Sequence, residues 1–151
     1  MGVGYDYYCE NCNYQKSFSL GSGFGYPSLY AELIEKIRSG EYGDTWKQYF
    51  CEHPGAMING EIELYQCPSC NHLEEDYNLS LYENQAGMPP EYGYWIPGIS
   101  EREDYIFVRS YVHKCPNCGK RMRKITEYPD PPLCPKCGEP LKMNPALVRW
   151  D

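Results

Sequence analysis

Eight cysteines fall in four C-x-x-C pairs: CENC at 9–12, CPSC at 67–70, CPNC at 115–118 and CPKC at 134–137. Such a turn brings two thiolates onto one ion while backbone N–H groups point at the sulfurs, so four turns supply two four-sulfur coordination spheres. The residue after the second cysteine commonly turns with positive φ, which glycine tolerates best and asparagine next. Those residues are Asn13, Asn71, Gly119 and Gly138. Proline follows the first cysteine in three pairs, as Pro68, Pro116 and Pro135, where it presets the turn. Each pair thus carries the chemistry of a metal knuckle beyond its bare spacing.

Three ways of joining four knuckles into two sites are conceivable. Loop-closure entropy rises with loop length, so neighbouring knuckles are the cheapest to join. Cys118 to Cys134 leaves 15 intervening residues, a compact four-cysteine spacing, and Cys12 to Cys67 leaves 54. The expected sites are therefore Cys9, Cys12, Cys67 and Cys70, and Cys115, Cys118, Cys134 and Cys137, each holding one Zn²⁺. Matching Asn–Asn and Gly–Gly residues after the knuckles point the same way. A 54-residue loop must contain elements of its own.

Composition supports a metal staple. Aliphatic residues are scarce and tyrosines number 16 in a chain of 151 residues, so the core is thin. Each buried tyrosine must also find its hydroxyl a partner, and small folds with thin cores rely on disulfides or metals. Nine cysteines is an odd count, and the opening MGVGYDYYCENC has no apolar signal segment. No run approaches the roughly 18 apolar residues of a membrane span. These features favour a soluble cytoplasmic protein, in whose reducing surroundings thiols bind metal rather than oxidise.

The stretch HKCPNCGKRMRKITEYPDPPLCPKCGEPLKM resembles the zinc-ribbon family, whose knuckles are shared with rubredoxin-like domains. The likeness is close over about residues 109–143, and the first site looks like the same ribbon split by an insertion. It implies two hairpin knuckles gripping a structural zinc beside a three-stranded sheet. It implies no activity, since ribbons serve many functions.

The elements around the knuckles give a small α+β, metal-stabilised fold: two antiparallel zinc ribbons with a helical insertion in the first. Strands are expected at 5–8 and 14–20 around the first knuckle, and at 62–66 and 77–82 around the second. Ser28 caps a helix through about Arg38, with Leu29, Leu33, Ile34 and Ile37 on one face and Gly40 at its end. Asp44 opens a second helix bearing Trp46, Tyr49 and Phe50, stopped by Pro54. Both helices are expected to pack on the ribbon sheet. The domains read as 1–82, a split ribbon with its insertion at about 27–53; 83–104, a connector rich in Gly, Pro and aromatics, lying against the ribbons; and 105–151, the C-terminal ribbon. A long strand at 105–114 and a short one at 146–150 complete it.

Four thiolates fill a zinc's coordination sphere, so both sites read as structural and the protein as no enzyme. His53, His72 and His113 form no H-E-x-x-H pattern. His72-Leu73-Glu74 spells H-x-E, but Lys114 and Leu133 stand where a zinc deaminase needs proline before its later cysteines. GSGFGYPS at 21–28 precedes a helix yet matches no nucleotide fingerprint and reads as a turn. Cys51, in YFCEHPG, reads as a buried apolar group, with His53 nearby but no orienting residue. Iron, as in a rubredoxin-type electron carrier, is the rival metal.

Charge is divided. Residues 1–104 carry −12 and residues 105–151 carry +5, giving −7 overall. Each four-thiolate zinc adds about −2 more, so the chain as a whole is repelled by nucleic acid. Lys114, Lys120, Arg121, Arg123 and Lys124 form a candidate phosphate contact with Tyr111 and Tyr128 for stacking, or else neutralise the anionic metal site. The expected role is an adaptor or regulatory protein acting through protein–protein contacts, with nucleic-acid binding as the alternative.

Overall fold

The computed structural model describes residues 2–23, 26–88, 96–125 and 131–150, with backbone alone for Tyr26 and for 145–150. Contacts divide the chain into two interleaved units: Met1–Gly23, Glu61–Tyr77 and Val112–Asp151 form the first, Phe24–Gly60 and Asn78–Tyr111 the second. This differs from the expected order of split ribbon, connector and C-terminal ribbon. The middle of the 54-residue loop, 24–60, and the 78–111 stretch, read separately in the sequence, fall together in one unit. No helix among the described residues is long and apolar enough to cross a membrane.

The first unit is built of antiparallel strands. Strand β1 (Gly2–Tyr8) and strand β2 (Gln15–Gly21) pair over seven residues, with the CENC turn between them. Strand β4 (Ile62–Gln66) and strand β5 (Leu73–Tyr77) pair over five, with the CPSC turn between them. Two later strands complete the arrangement. Strand β9 (Lys142–Trp150), longer than the short terminal strand expected, adds to the free side of β1. Strand β8 (Arg123–Lys124) pairs Gln66 and Tyr65 of β4. The two halves are thus alike: a hairpin closed by a knuckle, and a third strand, arriving after another knuckle, on the hairpin's first strand. They join where Gly21 pairs Ile62 and the Ser19 amide donates to Glu75 at 2.8 Å.

The core of this unit is small. Tyr7 and Phe18 meet edge-on at 5.9 Å, and Leu64, Leu73 and Leu141 pack about them together with two of the cysteines. The sulfurs therefore contribute to the core as well as to the candidate sites.

The second unit pairs two helices with a sheet of strands β3 (Ala56–Ile58), β6 (Leu81–Asn84) and β7 (Tyr105–Arg109), in the order β3-β6-β7. Helix α1 (Tyr26–Ser39) begins two residues before Ser28, with Pro27 in its first turn, so Ser28 lies inside it. Its end is as the sequence suggests: Gly40 has φ +89°, and amides of Gly40 and Glu41 bond the carbonyls of Ile37 and Lys36, a Schellman closure. Its inner face is Tyr30, Leu33 and Ile37. Helix α2 (Asp44–Glu52) buries Trp46 and Phe50. Both helices serve this second sheet rather than the cysteine-bearing one. Trp46 Nε1 donates to the Leu79 carbonyl at 2.9 Å, and the Tyr30 hydroxyl accepts the Ile58 amide at 3.1 Å.

The expected strand at 77–82 is divided between the units: Tyr77 ends β5, while Leu79 and Leu81 are buried in the second unit. The expected 105–114 strand likewise stops at Arg109. Of the connector's aromatics, Tyr92, Tyr94 and Trp95 lie outside the described residues, as does Tyr128. Ile99, in a single 3-10 turn, is buried in the second unit.

A polar clasp ties α2 to β6. Tyr49 donates to Glu83 at 2.5 Å, and His53 Nδ1 lies 3.0 Å from the other carboxylate oxygen. The Tyr49 hydroxyl and then His53 hold the Glu83 carboxyl below its ordinary range. A depressed value stabilises the fold fully above the unfolded value, about pH 4.3, and that contribution is lost as pH falls through the folded value. Glu83→Gln should therefore lower the urea midpoint at neutral pH and leave a shrinking difference from the parent below about pH 4. Tyr30→Phe should cost about 1–3 kcal/mol by leaving the buried Ile58 amide unpaired, as read by urea unfolding.

Candidate metal centres

Each knuckle is closed by its own backbone. The amide of the first cysteine bonds the carbonyl five residues on: Cys9 to Tyr14, Cys67 to His72, Cys115 to Lys120 and Cys134 to Glu139, at 2.7–3.0 Å. In three knuckles the residue after the second cysteine returns a bond to the first, from Asn71, Gly119 and Gly138, at 2.8–2.9 Å. These three have the positive φ that the sequence suggests, at 59°, 73° and 82°; Asn13 does not.

The knuckles join in a nested order. Cys9, Cys12, Cys134 and Cys137 form one tetrad, and Cys67, Cys70, Cys115 and Cys118 the other, with sulfurs in each within 4.8 Å of one another. This corrects the neighbour pairing of Cys9, Cys12, Cys67 and Cys70 with a separate Cys115, Cys118, Cys134 and Cys137. The reason is the sheet: β9 returns to β1 and β8 to β4, so the fourth knuckle arrives beside the first and the third beside the second. The first-named tetrad is the outer site and the other the inner site.

The sulfurs fit a metal better than a bond between themselves. Facing pairs stand apart at Cys9–Cys137 3.5 Å, Cys12–Cys134 3.5 Å, Cys67–Cys118 3.4 Å and Cys70–Cys115 3.5 Å. Zinc–sulfur bonds near 2.3 Å put the corners of a tetrahedron about 3.8 Å apart. A disulfide needs about 2.05 Å, and all nine cysteines are free thiols. In every knuckle the first cysteine is buried and the second lies nearer the surface. Each site therefore has two sulfurs rooted in the core and two at its mouth.

Titration of the thiols points the same way. The Cys70 backbone amide, with that of Ser69, draws Cys67 down to about 6. The Glu139 amide and then the Asn11 side chain draw Cys137 down to about 6. Backbone bonds at Tyr14 and His72 favour the Cys12 and Cys70 thiolates, yet burial and the neighbouring sulfurs outweigh them and push both up to about 12. Cys67 and Cys137 thus ionise readily, while Cys12 and Cys70 resist ionisation. A dication held by the four sulfurs would favour the thiolate form of each.

Gln66, which no spacing or motif marks, ties the two sites together. It stands next to Cys67 and is almost wholly buried. Its amide oxygen accepts the Leu133 N–H at 3.0 Å, and its nitrogen donates to the Leu133 carbonyl at 2.7 Å and to the Asn71 carbonyl at 3.0 Å. Leu133 directly precedes Cys134, so one inner-site side chain orients an outer-site knuckle. The only sequence signal was a polar residue in an otherwise apolar strand end, LYQC.

Polar contacts also cross each site. Asn117 reaches His72 at 3.2 Å and Lys120 donates to Ser69 at 3.2 Å over the inner site, while Lys142 pairs with Glu10 at 2.8 Å beside the outer. His113 is buried, stacked on Tyr65, with Nε2 2.9 Å from the Tyr77 carbonyl. Lys114, Lys120, Arg121, Arg123 and Lys124 are all exposed along the third knuckle and β8. Lys124 is engaged by Glu63 at 2.6 Å. Tyr111 belongs to the second unit, where it meets Trp46 edge-on. Cys51 is exposed, contrary to the expected burial, because α2 turns Trp46 and Phe50 inward and position 51 lies about 100° round from Phe50. His53 has in Glu83 the orienting carboxylate that the sequence did not reveal.

The nested order has a direct test in metal stoichiometry. Cys134→Ser should leave one metal per chain, and Cys9→Ser with Cys134→Ser should still leave one, by elemental analysis. Cys9→Ser with Cys67→Ser should leave none, whereas neighbour pairing requires one. Gln66→Leu should weaken outer-site metal about 10–100-fold in chelator competition, with a smaller effect on the inner site. No protein-family model matches the chain, and no curated protein or solved structure matches it either, so its sites are read from their own geometry.

Proposed function

We propose that the chain is a two-site structural-zinc protein, folded by its metals and acting through contacts with another protein. The observation that carries this reading is the closure of both cages: four sulfurs converge in each, two of them rooted in the core. Zinc takes four thiolates as a tetrahedron with no position left for water or substrate, so such a site holds shape and performs no chemistry. The strand pattern supports zinc ribbons in particular. In each half a knuckle-bearing hairpin receives a third strand that follows the opposing knuckle, giving the three-stranded sheet of that family. A reducing compartment such as the cytoplasm would keep these thiols available to metal.

Protein contact is favoured by charge, since the chain is at −7 before its thiolates are counted. One observation favours a second reading, nucleic-acid binding: the five cations of the third knuckle and β8 are all exposed. Iron in place of zinc would make the protein an electron carrier of rubredoxin type.

Purified protein should be colourless and contain two zinc ions per chain by elemental analysis; a red, iron-loaded protein decides for electron transfer. Chelation should abolish the cooperative melt of the cysteine-bearing unit, and a melt that survives would sink the structural-zinc reading. Affinity capture from source cells, with and without nuclease, should return a nuclease-resistant protein. Recovery of nucleic acid, lost on Arg121→Glu with Arg123→Glu, would support the second reading instead.

A further inference from the structure

Strand β7 lies at the end of its sheet, paired to β6 alone among the described residues. A strand in that position usually buries alternate residues, but here only Tyr105 is buried. Ile106 and Phe107 are each 53 % exposed and Val108 39 %, so apolar side chains reach solvent from both faces of one edge strand. Phe107 touches Tyr82 edge-on at 5.7 Å, with about half of its surface exposed. Native edges are normally blunted by lysine, proline or an inward charge. The run YIFVR carries none of these within its apolar stretch; a bulge at Val108, itself a device that interrupts edge pairing, leaves residues 105–107 in regular register.

The charges beside this edge suit one occupant. Glu103 and Asp104 precede the apolar run and Arg109 ends it, and all three are exposed. Arg102 already forks onto Asp104 at 2.7 and 2.8 Å, leaving Glu103 beside them. A strand of the same sequence laid antiparallel would set its acidic end against this basic end. Pairing centred on Ile106 places Tyr105 against Phe107 of the second copy and Arg109 against Glu103 of the second copy. A parallel arrangement would stack Arg109 on Arg109.

We propose that β7 pairs antiparallel with β7 of a second copy, joining two three-stranded sheets into one of six strands. The contact is isologous, so each favourable pair occurs twice. Aromatic and opposite-charge cross-strand pairs stabilise such an edge, and like charges directly opposite weaken it. A five-residue edge is smaller than a standard interface, so the dimer is a weak, reversible one.

The test is light scattering after size exclusion on the full metal-loaded chain across about 1–500 μM, with circular dichroism and metal content checking the fold of each variant. The mass should rise from monomer to dimer with concentration. Ile106→Lys should weaken dimerisation at least about tenfold. Arg109→Glu, which puts acid against acid twice, should weaken it about tenfold, and Arg109→Glu with Glu103→Arg should restore it to within about threefold. A monomer at every concentration overturns the proposal, as does a dimer unaffected by Arg109→Glu or a double variant no tighter than the single one. Slow hydrogen exchange at 106–108 in a monomer would show the chain covering its own edge, which also overturns it. So would a monomer that captures a different protein through Ile106, since the occupant would then be a heterologous strand.

Discussion

The cysteine-bearing unit depends on the return of its last strand to its first. Six residue pairs hold β9 against β1, and this ladder carries the fourth knuckle across the unit to meet the first. Without it, Cys134 and Cys137 would have no reason to pass over the nearer Cys115 and Cys118. Loop entropy opposes the choice only weakly. It grows logarithmically, and once the inner site is closed it shortens the path between the outer knuckles, so nested and neighbour pairings differ by about 1 kcal/mol. A ladder of backbone hydrogen bonds and buried side chains outweighs a difference of that size.

The candidate metal-ligand geometry and the core packing are one structure here. Cys9 and Cys134 sit in the same apolar cluster as Tyr7, Phe18 and Leu64, while Cys67 and Cys115 share another with Tyr65 and Met122. Few aliphatic residues are available, so the sulfurs serve as small apolar groups on one side and as ligands on the other. Gln66 adds a directional element to this shared interior. It satisfies both backbone groups of Leu133, which burial would otherwise leave costly.

What could be read from the chain was local. The knuckle spacing, the left-handed turns at Asn71, Gly119 and Gly138, and the glycine closure of α1 each depend on a few consecutive residues, and each is found. Asn13 departs from its three counterparts, since asparagine permits a left-handed turn without requiring it. The partner of each knuckle was not legible, because pairing depends on strands far apart in sequence, and Lys142–Trp150 could be read only as a short end strand. The same limit hid the second unit: β3 and β6 lie in one segment or the other, and their pairing of Ala56 with Glu83 is visible only in three dimensions. Cys51 was misplaced because a short helix offers few positions from which to fix its inward face.

Nesting also orders assembly in time. A growing chain releases its residues from the N-terminus onward and can begin folding as they emerge. Cys118 is made before Cys134, so the inner cage is complete while the outer still lacks half its ligands. Until then Cys9 and Cys12 wait as an unmatched pair on a finished hairpin, exposed to whatever metal or oxidant the translating ribosome meets. The two tetrads are therefore completed in a set sequence, and the earliest thiols made are among the last to find their partners.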